Sequence, residues 1–392
     1  MTQNISSIII SSIKAMESKK YASYDVYDAL TSPFLFFLTS KNHFFKRVVI
    51  QLNSKCPINL RPVLGVKKLV HTKTISDLLS IYSLLGENKT DSENLSKAKS
   101  MFDLLIIKSI NKQDAIAWGL NFPYATRFTD AGIDTPNLYN TLNSGLSILD
   151  YYDLTQDSIV ENIIDRILDY IFIYLGTKEL SDDMKWVRYY PNQTSPILNV
   201  NATAAHFFLR INQTFKKEKV KQAEIGKIIN LLKHFQNSDG SWYYSIDDKG
   251  KWVDGFHTGF ILDSLIYIAK NDQFDIDETI NKGISYYINN MFSEEGIPKY
   301  YNHSLYPIES QNCAQAIQTL AKISDYLDNS NEVKQLLEKA IEQTILFLYK
   351  KEQGEFRYKK SRLFNYNQVY FRWSQAPMIL ALLNAKNTLS IV

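Results

Sequence analysis

A two-residue pattern recurs along the chain at a nearly constant interval. A polar residue is followed two positions later by a small one at Asn143/Gly145, Asn201/Thr203, His257/Gly259, Asn312/Ala314 and Arg372/Ser374. Successive polar members lie 58, 56, 55 and 60 residues apart, and an apolar residue follows each of them after eight positions. A fixed interval is typical of one supersecondary unit that is repeated. We therefore predict that copies of one helical hairpin are arranged in a ring.

Two kinds of helix alternate along the chain. One kind is amphipathic, because apolar side chains share one face and charged side chains occupy the other. This pattern predicts outer helices near 93–110, 157–175, 220–235, 277–291 and 331–349. The other kind is apolar or small on most sides, which suits a helix packed on two faces. It predicts inner helices near 137–151, 199–212, 257–270, 311–327 and 370–384.

One further pair of segments decides the number of hairpins. Residues 4–16 and 73–86 complete six hairpins if a long insertion separates the two helices of the first. The sequence therefore predicts an all-α, single-domain (α/α)6 toroid over residues 1–392, with an irregular insertion over 20–72. A hydrophobic fraction of 45% supplies a large core for such a ring.

The composition narrows the classes of function. The 44 Lys and Arg residues nearly balance the 41 Asp and Glu residues and form no single stripe, which argues against nucleic-acid binding. Cys56 and Cys313 lie far apart and the histidines are scattered, so we expect no disulfide framework, no metal and no cofactor. The chain has no long uncharged apolar run and no cleavage-like leader pattern. We therefore expect no transmembrane segment and a cytoplasmic location.

Aromatic-rich loops gather at the same end as the recurring polar residues. Those polar residues stand at the N-terminal ends of the predicted inner helices, so in a ring they converge around the mouth of a central cavity. The loops contribute Trp118, Trp186, Tyr189, Tyr190, Trp242, Tyr243, Tyr244, Trp252, Tyr300, Tyr301, Tyr306 and Trp373. Aromatic faces mixed with hydrogen-bonding side chains suit a sugar-binding groove. The alternative is that these rings close the top of the core.

Two carboxylates occupy equivalent places on neighbouring hairpins. Asp254 stands three residues before His257, and Glu309 stands three residues before Asn312. Adjacent helix axes lie about 8–10 Å apart, close to the roughly 6.5–9.5 Å between the acid and base of an inverting glycosidase. Helix capping is the alternative role for both carboxylates, and packing is the alternative for His257. The predicted catalytic residues are Asp254, His257, Glu309 and Tyr243.

Arginines near the loops favour an acidic ligand. Arg127, Arg188, Arg357 and Arg372 lie in or beside the loops and could bind a carboxylate or phosphate through paired hydrogen bonds. Bracing of loops is the alternative for any single arginine. The predicted substrate-binding residues are Trp118, Arg127, Asn143, Trp186, Arg188, Asn201, Trp242, Tyr244, Tyr300, Gln311, Asn312, Arg372 and Trp373.

Four stretches carry a family resemblance: QNSDGSWYY, VDGFHTGF, AQAIQTLAKI and VYFRWSQAPMILALL. Over residues 115–385 the chain resembles bacterial proteins encoded among surface-polysaccharide biosynthesis genes, some of which bear the label delta-aminolevulinic acid dehydratase. An all-helical repeat lacks the parallel barrel of such a dehydratase. The family also resembles six-hairpin glycosidases, polysaccharide lyases and uronyl epimerases, which implies a saccharide or lipid-linked saccharide as ligand. Its relatives are expected to carry Asp-x-His before the AQAI helix, where this chain has Glu309 and Gln311.

Two classes of function remain open at this stage, and a third is disfavoured. The first is a hydrolase, lyase or epimerase that acts on an acidic saccharide during assembly of a capsule or exopolysaccharide. The second is a non-catalytic glycan-binding or scaffold protein of the same pathway. The third is a terpenoid cyclase, because Gln236, Gly240 and Trp242 resemble one copy of the QW signature of that family. An Asp-x-Asp-Asp motif is missing, and the nearest aspartates, Asp275 and Asp277, open a predicted outer helix.

Overall fold

The computed structural model describes residues 2–39, 42–87, 92–126, 129–271 and 274–389, and this part of the chain forms fourteen α-helices. In chain order they are α1 (Thr2–Ser18), α2 (Pro33–Thr39), α3 (His43–Lys55), α4 (Thr72–Leu85), α5 (Ser92–Ile107), α6 (Leu138–Thr155), α7 (Ile159–Asp169), α8 (Leu198–Phe215), α9 (Gln222–His234), α10 (Gly255–Asn271), α11 (Asp277–Asn290), α12 (Ser310–Tyr326), α13 (Asn331–Leu348) and α14 (Ala376–Leu389). Short π-helical turns, Tyr170–Leu175 and Phe371–Gln375, extend α7 and precede α14.

The helices form two concentric rings. The even-numbered helices from α4 to α14 make the inner ring, in which each contacts the next and α14 contacts α4. The outer ring consists of α1 and the odd-numbered helices from α5 to α13, each packed against an inner helix. The predicted all-α (α/α)6 toroid is therefore confirmed. The segments 4–16 and 73–86 correspond to α1 and α4.

Close helix packing explains the small residue in the recurring pair. A Cβ atom on Gly145 would lie 2.6 Å from the ring of Phe207 on the next inner helix. On Gly259 it would lie 2.8 Å from Gln315 and 2.9 Å from Thr319, both on α12. These distances are shorter than carbon contacts in packed interiors allow, so a larger residue would force the inner helices apart.

Short β-hairpins join the helices at the end where the inner helices begin. The strand Thr177–Ser181 pairs with Met184–Val187, and Ile110–Lys112 pairs with Ala115–Ala117. A three-stranded sheet forms where Lys359–Lys360 pairs with Ile308–Glu309 on one side and Asn365–Tyr366 on the other. This sheet fixes the backbone of Glu309 directly before α12.

The segment between α1 and α4 is attached to the ring by buried charges. Nε of Arg61 donates to Asp28 over 2.7 Å, and its Nη1 donates to the hydroxyl group of Tyr370 over 2.8 Å. Asp25 accepts two hydrogen bonds from Arg372, just before the last inner helix. We predict an irregular insertion here, whereas the structure contains two helices, α2 and α3, which pack against each other.

A charged cluster lies deeper along the inner helices. Asp263, midway along α10, accepts hydrogen bonds from four side chains of α12: Gln315 (3.1 Å), Gln318 (2.9 Å), Thr319 (2.7 Å) and Lys322 (3.0 Å). We refer to these five residues as the Asp263 cluster. Because the carboxylate is buried and has several donors, the cluster fixes the packing of α10 against α12. Within the described ranges, no helix is both long and apolar enough to cross a bilayer.

Candidate functional site

A cavity of about 670 Å³ lies where the inner helices begin. Its wall combines the first turns of α6, α8, α10 and α12 with one face of α3 and with the connecting loops. The lining side chains are those of Tyr27, Arg47, Gln51, Lys55, Leu120, Tyr124, Ala125, Thr126, Thr129, Tyr139, Asn140, Tyr189, Tyr190, Gln193, Ile197, Asn199, Tyr244, Trp252, Phe256, His257, Tyr300, Tyr301, Glu309, Gln311, Arg372 and Trp373. The volume is within the range of about 300–1,000 Å³ that is usual for small-molecule sites.

Glu309 is a buried carboxyl group at the cavity wall with an incomplete set of hydrogen bonds. Oε1 accepts a hydrogen bond from the indole of Trp373, whereas Oε2 has no partner among the described residues. Burial raises the pKa of Glu309 to about 7, against the opposing effects of the Trp373 hydrogen bond and the Lys359 charge. The group is therefore partly protonated near neutral pH, which is the state that a general acid requires.

His257 lines the same cavity and is oriented by Asp254. Because a carboxylate only accepts hydrogen bonds, Nδ1 of His257 donates to Oδ2 of Asp254, over 2.7 Å. This bond leaves Nε2 as the proton-accepting nitrogen. The backbone N–H of His257 donates to Oδ1 over 2.8 Å, so Asp254 also caps α10. The Trp252 indole is a third donor to Asp254, at 2.9 Å.

The sequence spacing predicts Asp254 as a second catalytic carboxylate facing Glu309, whereas in the structure its side chain holds His257. Asp254 is 2% exposed, has three donors and is not part of the cavity wall. Glu309 occupies the corresponding position before α12, but its side chain makes no capping hydrogen bond. The two residues therefore differ in role: one supports a histidine, and the other is itself at the wall.

Three amide side chains place buried oxygens at the cavity wall. Asn140, Asn199 and Gln311 all line the cavity, and their side-chain oxygens lack a hydrogen-bond partner in the described chain. A buried acceptor without a partner costs about 1–3 kcal/mol. Each oxygen is therefore a favourable place for a donor such as a ligand hydroxyl group, provided that a small rotation of the side chain exposes it.

Aromatic rings make up much of the remaining wall. Tyr244 and Trp252 stack with ring centroids 4.6 Å apart and planes inclined by 13°, and Tyr244 also contacts the His257 ring at 4.7 Å. Burial raises the pKa of Tyr124 to about 12, and it raises the pKa of Tyr300 well above its ordinary value. These hydroxyl groups stay protonated and can donate hydrogen bonds. Flat apolar faces beside hydroxyl donors suit the C–H surface and oxygens of a sugar ring.

Positive charge at the cavity has two sources. Arg372 lines the cavity, but its Nε and Nη2 donate to both oxygens of Asp25, over 2.6 and 2.8 Å. Burial alone would raise the pKa of Asp25, and the Arg372 charge instead holds it at about 2, so the pair is neutral overall. Arg47 and Lys55, on α3, also line the cavity, and neither forms an ion pair within the described structure. The insertion therefore supplies the uncompensated cations.

Three of the five tryptophans predicted for the groove lie in the core, whereas Trp252 and Trp373 line the cavity. Trp118, Trp186 and Trp242 are at most 2% exposed and do not line the cavity. The indole groups of Trp118 and Trp242 donate to the backbone carbonyl groups of Leu105 on α5 and Leu232 on α9. These tryptophans attach the loops to outer helices, which corresponds to the core-packing alternative.

Other predicted residues are also away from the cavity. Asn201 accepts from the Val187 N–H over 2.7 Å and donates to the Ile197 carbonyl over 2.9 Å, so it holds a hairpin strand on α8. Asn143 donates to the backbone of Tyr139. The remaining members of this group are the buried Asn312, the loop residue Arg188 and the exposed Tyr243. Arg127 lies outside the described residues.

In three of the inner helices, the polar residue that lines the cavity is not the predicted member of the recurring pair but stands one to three positions before it. Across the ring, the lining residues are Asn140, Asn199, His257, Gln311 and Arg372, so they precede the predicted members by three residues in α6, two in α8 and one in α12. Sequence reasoning missed the first two. Asn137 was the available signal for α6, because its side chain caps the helix and thereby places Asn140 in the first turn.

The insertion contributes residues for which the repeat gave no signal. Arg47, Gln51 and Lys55 recur every four residues along α3, and this spacing places them on one helix face. Their spacing is visible in the sequence. Their position beside the cavity is not, because no repeat relates the insertion to the ring.

A second cavity of about 260 Å³ adjoins the first. Both cavities are lined by Thr129, Tyr190 and Gln193. Asp247 lines only the second, and its Oδ1 is buried without a partner in the described part of the chain. The shared wall places the second cavity directly beside the first.

Among the described residues, the cavity wall carries neither the aspartate motif of a cyclase nor a cluster of metal ligands. The side chain of Gln236 donates to the backbone carbonyl groups of Gly240 and Thr279, so the QW-like motif braces a loop against α11. Asp275 is fully exposed, and Asp277 begins that outer helix. Within the described ranges, no group of three or more His, Cys, Asp or Glu side chains is arranged to hold a metal ion.

The chain resembles solved structures of carbohydrate-active enzymes in its fold. No protein-family profile matches the sequence, and no curated protein matches it either. Cellobiose 2-epimerase from Bacillus thermoamylovorans B4167 superposes with a TM-score of 0.60 at 11% identity, over 82% of this chain and 88% of that one. An unsaturated glucuronyl hydrolase specific for heparin gives 0.57 at 13% identity, over 81% and 86%. The alpha-1,6-mannanase from Salegentibacter sp. HEL1_6 gives 0.57 at 14% identity, over 82% and 89%. At these identities the similarity establishes the (α/α)6 toroid.

Proposed function

We propose that the protein is a carbohydrate-active enzyme that acts on a saccharide by general acid–base catalysis. The observation that carries this proposal is the pair of proton-transfer groups at one cavity: Glu309, with a pKa of about 7 and an unpartnered oxygen in the described chain, and His257, with Nε2 left as a base by Asp254. A proton donor and a proton acceptor at one cavity are what proton transfer at two sides of one bond requires.

In a hydrolysis, the two groups would act in concert. The Oε2–H of Glu309 gives its proton to the glycosidic oxygen, and the bond from that oxygen to the anomeric carbon breaks. A water molecule attacks the same carbon while His257 Nε2 accepts one of its protons. In an epimerisation or elimination, His257 would instead remove a proton from the sugar carbon beside a carbonyl or carboxylate group. Asp254 acts as a positioning residue in both cases.

The ligand that suits the wall is a saccharide with acidic groups. Aromatic faces fit sugar rings, the three unpartnered amide oxygens fit hydroxyl donors, and Arg47 and Lys55 fit a carboxylate. The enzymes with similar folds, an epimerase, a glucuronyl hydrolase and a mannanase, act on saccharides according to their names and support this class. Their residues are not transferred to this chain. A role in assembly of a surface polysaccharide rests on the sequence resemblance and is part of the proposal.

Turnover of a panel of neutral and uronate-containing oligosaccharides tests the proposal. The parent should convert at least one of them, with product analysis distinguishing hydrolysis, elimination and epimerisation.

Glu309→Gln and His257→Gln should each lower kcat by about 10²–10⁴-fold and retain ligand binding. Asp254→Asn keeps the oxygen that caps α10 but replaces Oδ2, the acceptor for His257 and Trp252, by an amide donor, so kcat should fall by about 10–100-fold with a modest loss of melting temperature. Gln318→Ala, in the Asp263 cluster, is the control and should keep kcat. Binding without conversion by the parent would contradict the enzyme and favour a glycan-binding protein.

A further inference from the structure

Exposed apolar side chains are concentrated in the insertion. Ten of the 23 large hydrophobic side chains that are exposed in the described chain lie between residues 34 and 63. They are Phe34, Phe36, Phe37, Leu38, Phe44, Phe45, Leu52, Ile58, Leu60 and Val63, and we call them the phenylalanine face. Single exposed hydrophobic residues are normal on a protein surface, but five exposed aromatic rings in so short a stretch are more than such scattered residues account for. Two further exposed residues, Leu363 and Phe364, lie in a loop near Tyr366, whose hydroxyl group donates to the Lys55 carbonyl.

The same segment carries an uneven charge. Between Asp28 and Asp77 the chain has eight Lys and Arg residues and no Asp or Glu, although the whole chain is nearly balanced at +3. Three of the eight have carboxylate partners: Arg61 with Asp28, Lys73 with Asp77, and Lys46 with Asp130. Arg47, Lys55, Lys67 and Lys68 form no ion pair in the described structure, and the last three are exposed. Apolar rings and uncompensated cations therefore share one region of the surface.

Helix α3 connects this region to the cavity. Arg47, Gln51 and Lys55 line the cavity from one face of the helix, while Phe44, Phe45 and Leu52 are exposed. The insertion is fixed to the ring by the buried ion pair of Asp25 with Arg372 and by the hydrogen bond from Arg61 to Tyr370, so the face cannot reorient freely. Whatever covers the phenylalanine face consequently lies beside the entrance of the cavity.

We propose that the phenylalanine face binds the surface of an anionic lipid bilayer. Phe and Leu side chains that enter the boundary between headgroups and acyl chains, together with Lys and Arg side chains that pair with lipid phosphates, are the two features of interfacial membrane binding. A second copy of this chain would bring four more uncompensated cations against the same four, which opposes a symmetric dimer through this face. Docking would place the cavity at the bilayer, within reach of a saccharide carried on a lipid.

Vesicle cosedimentation of the intact chain tests the proposal without any sugar substrate, so its outcome is independent of the proposed reaction. The parent should pellet with vesicles of phosphatidylglycerol and phosphatidylcholine at low salt, and less at high salt or with phosphatidylcholine alone. In the double variant Phe34→Ser/Phe37→Ser, the partition coefficient onto the vesicles should fall at least about tenfold, because two exposed rings can no longer be buried in the lipid. Lys67→Gln/Lys68→Gln should lose about fivefold per residue on the anionic vesicles.

A matched control uses equally exposed apolar residues on the outer ring. Ile173 and Leu346 are 70% and 71% exposed, so Ile173→Ser/Leu346→Ser makes the same chemical change elsewhere and should bind vesicles like the parent. All variants should keep the parent's melting temperature, because the changed side chains are exposed. A parent that stays in the supernatant with both vesicle types overturns the proposal. Equal losses in the control and the phenylalanine variant also overturn it, as does a dimer in gel filtration that only the phenylalanine variant abolishes.

Discussion

The cavity wall and the Asp263 cluster are both built from polar side chains of the inner helices, but they differ in hydrogen bonding. In the cluster, Asp263 accepts four hydrogen bonds from α12. At the wall, Glu309, Asn199 and Gln311 each have a buried oxygen without a partner in the described chain. A satisfied buried network stabilises one packing arrangement, whereas an unsatisfied group lowers stability until a ligand supplies the missing donor. The same ring of helices therefore contains a satisfied network that stabilises the fold and unsatisfied groups at the cavity wall, which we propose bind a ligand.

Asp263→Ala is the strongest test of the stabilising half of this comparison. The change leaves Lys322 and three other donors without their shared acceptor, so the free energy of unfolding should fall by about 4 kcal/mol. Chemical denaturation measures the loss. The kcat value on the saccharide substrate, taken well below the lowered melting temperature, should remain that of the parent. A large loss of kcat at unchanged stability would place Asp263 with the wall residues.

The variant Glu309→Gln tests the cavity wall, through the pH dependence of the free energy of unfolding. Burial raises the pKa of Glu309 from 4.5 to about 7, so between these values the folded chain holds a proton that the unfolded chain has released. The contribution of the protonated group to stability is complete below pH 4.5 and is lost as the pH rises through 7. The glutamine side chain of the variant cannot ionise. The variant should therefore match the parent in acid and exceed its stability above pH 7 by on the order of 3 kcal/mol.

Denaturation curves of parent and variant over this pH range measure the difference. Glu355→Gln provides a control, because Glu355 is also buried but is paired with Lys19 and lies outside the cavity wall. This control should lose stability at neutral pH instead of gaining it. Parallel curves for parent and Glu309→Gln would contradict a raised pKa at the wall.

The sequence predicts the ring better than it predicts the wall. Periodic apolar faces and the interval of the recurring pair depend on many residues at once, so the two kinds of helix could be located. Cavity lining depends on single positions. Because each residue turns a helix by about 100°, an error of two residues exchanges Asn199, which lines the cavity, for Asn201, which holds a strand. The insertion has no repeat to relate it to the ring, so its Arg47 and Lys55 could not be assigned to the site.

Asn199 and Asn201 offer a comparison within a single helix. Asn201 makes hydrogen bonds of 2.7, 3.3 and 2.9 Å to the backbone of Val187 and Ile197, so Asn201→Ala should cost about 2 kcal/mol of stability. Asn199→Ala removes an unpartnered oxygen and should leave the melting temperature nearly unchanged. It should instead raise KM about fivefold, the equivalent of one hydrogen bond to a ligand. Thermal unfolding and steady-state kinetics on both variants measure the contrast, and similar stability losses in the two would contradict it.

The smallest effect is expected at the second cavity, where Asp247→Ala tests how far the ligand extends. Asp247 lines only the second cavity and Glu309 only the first, so a disaccharide held at the proposed catalytic pair should be converted by the variant as by the parent. A longer oligosaccharide that reaches Asp247 should lose one hydrogen bond, and its KM should rise about threefold to fivefold. Asp248→Ala, one residue further and exposed at the surface, is the matched control for charge. A subsite differs from a general loss of charge only in that its effect on KM depends on the length of the substrate. Equal changes of KM for short and long substrates would therefore show that Asp247 acts through long-range electrostatics and that the ligand stays within the first cavity.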